Sequence, residues 1–145
     1  METLDTTQRD EPVILIRRCR WVMMAMILAD ITLTMIGQPR EYWTDPSKVH
    51  EGNELFHFIM SKGPAVSITV DVLYLLGAYL LVTKLPVRLG TALMLALMFG
   101  HYFGASSWLY MRFHLGAAGV ISYGVLIAVV LTWVGMPRPR SGSTN

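Results

Sequence analysis

The chain has few charged residues and only one cysteine in 145 residues. Charged residues make up 15% of the sequence, against about a quarter in ordinary soluble domains, whereas hydrophobic residues make up 53%. This composition excludes an ordinary soluble globular domain. Cys19 has no second cysteine with which to form an internal disulfide. A formal net charge of +2 gives no reason to expect nucleic acid as a partner.

Four apolar segments are each long enough to cross a bilayer as a helix, at about 21–37, 64–82, 89–110 and 115–136. A helix rises about 1.5 Å per residue, so that about 20 residues span a hydrocarbon core of about 30 Å. Backbone groups in lipid must also be hydrogen-bonded within the segment. The sequence therefore predicts an all-α membrane protein with a four-helix transmembrane domain, 21–136, and a short interfacial helix before the second span. Residues 1–20 and the basic tail 137–145 are predicted to lie outside the membrane.

The basic residues predict the orientation of the chain. With the N-terminus inside, eight lysines and arginines lie on the inner side and four on the outer side, namely Arg40, Lys48, Lys62 and Arg112. The excess of basic residues on the inner side predicts that both termini are cytoplasmic and that the protein is a multi-pass protein of the cell (inner) membrane. The loop 38–63, which then faces outside, contains four acidic residues, and no acid follows Asp71.

Three ionisable residues interrupt the apolar segments: Asp30, Asp71 and His101. They lie about 10, 10 and 13 Å below the assumed outer ends of their helices, where an ionised side chain costs at least about 2.5 kcal/mol. Helical spacing puts Thr34 on the face of Asp30, and Tyr74 on the face of Asp71. The sequence therefore predicts an intramembrane site that binds a cation or a proton, for transport, sensing or metal holding. The alternative is that these groups only hydrogen-bond the helices together.

A divalent metal is one candidate for this site. Asp71 and His101 could be joined by Glu51, Glu54 and His57 of the acidic loop, because a glutamate and a histidine three residues apart occur in helical metal sites. The same loop is also consistent with a solvated segment in which Glu54 caps the start of a helix. No haem is expected, because of the four histidines only His101 is deep, whereas His57 and His114 lie near the outer boundary.

The remaining alternatives concern enzymes and partners. An enzyme would use the same acids and histidine around a metal-bound water, but no catalytic residue can be assigned from the sequence. Two pairs of glycines predict close helix packing, in a homo-oligomer or against a larger membrane complex, of which this chain would be an accessory subunit. These are Gly100 with Gly104, and Gly116 with Gly119.

Short motifs within residues 28–110 carry a resemblance to a known family. They are an Asp-x-Thr, a Glu-x-Asn, a Gly-Pro and a single histidine, at Asp30 and Thr32, Glu51 and Asn53, Gly63 and Pro64, and His101. In these motifs the chain resembles small bacterial and archaeal multi-pass membrane proteins that share a domain of unknown function. That family has proline and lysine where this chain has Glu54 and Asp71. The resemblance implies that an internal cation is replaced here by an acid, which favours a bound metal or proton.

Overall fold

The computed structural model describes the backbone of residues 7–136 and the side chains of residues 18–136. Within these residues the chain forms no strand. Its α-helices are α1 (Thr7–Gly37), α2 (Glu54–Met60), α3 (Pro64–Lys84), α4 (Val87–Ser107) and α5 (Gly116–Gly135). Four segments are long and apolar enough to cross a membrane: Arg18–Gly37, Pro64–Lys84, Val87–Arg112 and Gly116–Gly135. The predicted all-α four-helix bundle is thereby confirmed, and α2 is the short helix expected before the second span.

The first helix begins earlier than its apolar segment. The apolar pattern starts at Trp21, whereas α1 starts at Thr7. No glycine occurs between residues 7 and 20. Much of the predicted N-terminal segment 1–20 is therefore helix. Residues 1–6 and the predicted basic tail 137–145 lie outside the described residues.

The apolar core lies between α1, α3 and α4. Met23 and Ile27 of α1 are fully buried and pack with Val82 of α3 and Met98 of α4. Helix α5 lies at the edge, and its membrane span contains no buried residue. Large apolar side chains on the four long helices are exposed, for example Leu73, Phe99 and Leu126. An apolar exterior around a core with few polar groups is the arrangement that lipid requires.

Residues 38–63, which we call the loop cap, are folded against one end of the bundle. The side chain of Gln38 is 5% exposed. Its Oε1 accepts from the backbone nitrogen of His50 at 2.8 Å, and its Nε2 donates to the backbone oxygen of His50 at 3.1 Å. These paired hydrogen bonds tie the middle of the loop cap to the end of α1.

Tyr42 anchors the loop cap from inside. Its ring is fully buried in a small apolar cluster with Val49 and Met60. Its hydroxyl donates to the backbone oxygen of Met60 at 3.3 Å. Burial raises the pKa of Tyr42, so that the hydroxyl remains a hydrogen-bond donor at neutral pH.

The end of α4 closes over the end of α1. After Ser107 the chain makes a π-helical turn, Trp108–Arg112. Arg112 Nε donates to the backbone oxygen of Gly37 at 2.7 Å, which satisfies a carbonyl that the end of a helix leaves free. The Trp108 ring lies so close to Gly37 that a Cβ there would be 2.5 Å from a ring carbon. Glycine at position 37 therefore permits the inward position of Trp108.

Candidate intramembrane polar site

A cavity of about 310 Å³ lies at the end of the bundle that carries the loop cap. Three helices contribute polar residues to its wall, among them Asp30, Thr34, Asp71, Tyr74 and His101. The loop cap contributes Glu51, Asn53, Phe56 and Met60. The structure thus brings all five residues of the sequence-predicted polar site together around one cavity.

His101 bridges two of these helices. Its Nδ1 lies 2.8 Å from Oδ2 of Asp30, and its Nε2 lies 2.8 Å from the Tyr74 hydroxyl. When Asp30 is ionised it can only accept, so Nδ1 then carries the proton in that hydrogen bond. Nε2 of the neutral imidazole accepts from Tyr74, whereas Nε2 of the imidazolium donates to the Tyr74 oxygen. Both protonation states of His101 therefore fit the same heavy-atom positions.

The absence of a side chain at Gly104 leaves room for the carboxylate of Asp30. A Cβ at Gly104 would lie 2.5 Å from Oδ2 and 2.6 Å from Oδ1 of Asp30. Oδ1 is buried and has no hydrogen-bond partner among the described residues. A side chain at position 104 would therefore displace the carboxylate of Asp30, whose Oδ2 is hydrogen-bonded to His101 and whose Oδ1 has no described partner.

Asp71 brings a second carboxylate to the cavity. Its side chain is 9% exposed, and it lies one helical turn from Ser67, which is 2% exposed. Both residues line the cavity. Asp71 receives no hydrogen bond from a described residue. Among the described residues that line the cavity there is no lysine or arginine. The cavity thus contains a buried carboxylate that no lysine or arginine of the described wall neutralises.

The residues proposed as metal ligands separate into two groups. Glu51, Asp71 and His101 line the cavity, whereas Glu54 and His57 are exposed and do not line it. In the described part of the chain, no three His, Cys, Asp or Glu side chains are grouped so as to hold a metal ion. Both ring nitrogens of His101 are also engaged in hydrogen bonds. The residues present do not fit a divalent metal.

The interpretation of Glu54 as a helix cap is wrong. The cap of α2 is Asn53, whose side-chain oxygen accepts from the backbone nitrogens of Leu55 and Phe56. The carboxylate of Glu51 in turn accepts from the backbone nitrogen of Asn53 at 2.8 Å. Asparagine caps a helix at least as well as a carboxylate does, and the family-like Glu-x-Asn motif here forms the turn that begins α2.

The other histidines do not reach the cavity. His50, His57 and His114 are exposed, and only His101 lines the cavity. The histidine pair on facing helices that a haem with two axial imidazoles needs is therefore not formed by these side chains.

The four glycines predicted for helix packing have different surroundings. Gly104 faces Asp30, as described above, whereas a Cβ at Gly100 would have no atom within 4 Å. Gly116 has φ +58° at the start of α5, a conformation that favours glycine. The nearest atoms to a Cβ at Gly119 belong to Leu115 of the same segment. Of these four, only Gly104 is in close contact with another helix.

Sequence reasoning did not find the apolar part of the site. Trp108 is 9% exposed and lines the cavity with Phe56 and Met35. The signal that could have identified it is Gly37, which leaves space for a large ring at the end of α1. Gln38 was also missed, because its hydrogen bonds connect residues that are 12 apart in the sequence.

Comparison with family models, with curated proteins and with solved structures gave no match to the chain.

Proposed function

We propose that this chain is a multi-pass protein of the cell membrane that binds a proton or another small cation at the site formed by Asp30, Asp71, Tyr74 and His101. The observation that carries the proposal is the cavity in which three helices bring two carboxylates and one imidazole together. In the proposed orientation the loop cap faces outside, so that the cavity receives its cation from that side.

The charge of the site supports the proposal. If both aspartates are ionised, a protonated His101 compensates only one of them. An uncompensated buried charge costs several kcal/mol in a low-dielectric environment. A proton on one of the carboxylates, or a small cation beside them, removes that cost. The absence of lysine and arginine from the cavity wall means that no described side chain there does the same.

The hydrogen-bond geometry supports a proton in particular. Asp30, His101 and Tyr74 form a continuous chain with two contacts of 2.8 Å. A proton can move along such a chain without rearrangement of the heavy atoms, and chains of acids and histidines act as proton relays in membrane proteins. The other titratable groups nearby are Glu51 of the loop cap, Asp71 of α3, Tyr102 of α4 and Tyr123 of α5, of which the last two stack on each other.

Infrared difference spectroscopy tests proton binding directly. Spectra of the full chain in micelles at pH 8 and pH 5 are compared for the native protein, Asp71→Asn and Asp45→Asn. We expect a carbonyl band of a protonated, weakly hydrated carboxyl group that Asp71→Asn removes. Asp45→Asn is the matched control because Asp45 is an exposed carboxylate of the loop cap. An unchanged band in Asp71→Asn would contradict the proposal.

A second candidate function is that of an accessory subunit in a larger membrane complex. The observation that favours it is α5, whose span has no buried residue although it is the most apolar of the four. A partner helix could cover this face in place of lipid. Crosslinking in membranes from a cysteine placed at Leu126 would yield a defined adduct if the face is covered. Labelling of that cysteine by a lipid-soluble probe alone would indicate that lipid covers it.

A further inference from the structure

The cavity is larger than an inorganic cation requires. Its volume of about 310 Å³ equals that of about ten water molecules at about 30 Å³ each, and it lies at the lower end of the range of small-molecule sites. A dehydrated metal ion would leave most of this space unfilled. The described residues also provide no group of three metal-ligating side chains. The cavity is therefore large enough for a small molecule.

The wall of the cavity has one anionic part and one apolar part. Asp71 is buried, receives no hydrogen bond from a described residue and lines the cavity beside the Ser67 hydroxyl. Glu51 adds a second carboxylate from the loop cap, and Phe56 and Trp108 add aromatic rings. Aromatic rings attract cations and also pack against alkyl groups. Carboxylates with a hydroxyl on one part of the wall, and rings on the other, suit a molecule with a cationic head and a short apolar body.

We propose that this cavity binds a small organic ammonium ion whose nitrogen is held by Asp71 and whose alkyl part lies against Phe56 and Trp108. The inference rests on the proposed function, because the ammonium group is the cation of that site. A primary ammonium has three N–H donors, and the Asp71 carboxylate and the Ser67 hydroxyl are acceptors for them. Asp30 does not compete for the ammonium in the same way, because His101 occupies its Oδ2 and its unpaired Oδ1 is buried against Gly104.

Two water-soluble molecules of equal length, one cationic and one neutral, distinguish the effect of charge on binding from the effect of shape. The first is 4-amino-1-butanol, which is cationic at neutral pH, and the second is 1,4-butanediol, which is neutral. Each is titrated into the full chain in micelles after labelling of the tryptophans with ¹⁵N, and the indole N–H signals are followed by NMR. Trp108 lines the cavity, whereas Trp43 and Trp133 are exposed elsewhere and serve as internal controls.

We expect 4-amino-1-butanol to shift the Trp108 signal with saturation, and 1,4-butanediol to bind at least about tenfold more weakly. Asp71→Asn is expected to weaken the binding of 4-amino-1-butanol by about 10- to 100-fold, because a hydrogen bond to a charged group is lost. Asp45→Asn should leave it unchanged. Glu51→Gln is a second variant on the loop cap, and it should weaken binding even if Asp71→Asn does not fold.

Two results would overturn the inference. One is equal affinity for the cationic and the neutral molecule, which would make the cavity a purely apolar site. The other is a saturable shift of Trp108 with MgCl₂ or NaCl but none with 4-amino-1-butanol. The second result would leave the proposed cation site intact, whereas a carbonyl band that Asp71→Asn leaves unchanged would remove the proposed function itself. The two failures are therefore distinguishable.

Discussion

Gly104 determines how closely α4 approaches the carboxylate of Asp30. Any other residue type at position 104 would place a Cβ 2.5 Å from Oδ2 of Asp30. The hydrogen bond to His101 depends on the position of that carboxylate. Helical spacing and depth predicted which polar residues lie close together, because period and rise are local properties of a helix, and these residues line one cavity in the structure. The role of Gly104 was not predictable, since it depends on the helix that packs against it.

Gly104→Ala is expected to destabilise the protein by about 1–3 kcal/mol, because an added methyl group in a close contact forces side chains to move. Gly100→Ala is the matched control on the same helix, since a Cβ there has no atom within 4 Å. Unfolding in mixed micelles measures both variants. Equal stability of the two variants would show that the contact with Asp30 is not strained by a methyl group.

Tyr74→Phe removes the hydroxyl that faces Nε2 of His101 and leaves the ring in place. We expect a loss of about 0.5–2 kcal/mol, as for other hydrogen bonds between membrane helices. The ¹⁵N signal of His101 Nε2 should change, whereas that of Nδ1 should change much less, because the bond to Asp30 remains. Tyr110→Phe, an exposed tyrosine, is the control. An unchanged Nε2 signal would contradict the hydrogen bond at 2.8 Å.

At the scale of elements, the loop cap was the part of the chain least accessible to sequence reasoning. The four long helices follow from continuous apolar segments, and their ends in the structure lie within a few residues of the prediction, apart from the early start of α1. The loop cap contains no such pattern. Its fold depends on Gln38 and Tyr42, whose partners are distant in sequence, and charge counts alone do not reveal these pairings.

Gln38→Ala is expected to release the loop cap from α1, because both hydrogen bonds to the backbone of His50 are lost. Trypsin cleavage at Arg40 and Lys48 should become several-fold faster in micelles, since local opening exposes the backbone. Thr44→Ala is the control within the same loop, because its hydroxyl bonds only to the nearby Glu41 oxygen. Cleavage at the native rate in Gln38→Ala would show that the hydrogen bonds of Gln38 to His50 do not hold the loop cap.

At the scale of the whole molecule, the bundle has two chemically different ends. One carries the acidic loop cap and the cavity, and the other carries the end of α3 and the start of α4 with Lys84 and Arg88. The positive-inside rule predicts that the second end is cytoplasmic. This prediction matters for the proposed function, because in that orientation the cavity lies on the outer side.

Cysteine labelling on intact cells tests the orientation. Lys48→Cys and Lys84→Cys are a matched pair at exposed positions of opposite ends, each in a Cys19→Ala background. A membrane-impermeant maleimide should label Lys48→Cys and not Lys84→Cys, and both should be labelled after permeabilisation. The reverse pattern in intact cells would place the cavity on the cytoplasmic side.

The central claim, that Asp71 and His101 belong to one proton-binding or cation-binding site, is tested most directly by the ¹⁵N signals of the His101 imidazole. They are recorded in the native protein, in Asp71→Asn and in the exposed-carboxylate control Asp45→Asn. A carboxylate at the same cavity polarises the hydrogen bonds of the imidazole, so the account predicts that the His101 signals change in Asp71→Asn and stay as in the native protein in Asp45→Asn. Identical His101 signals in all three proteins would contradict the account.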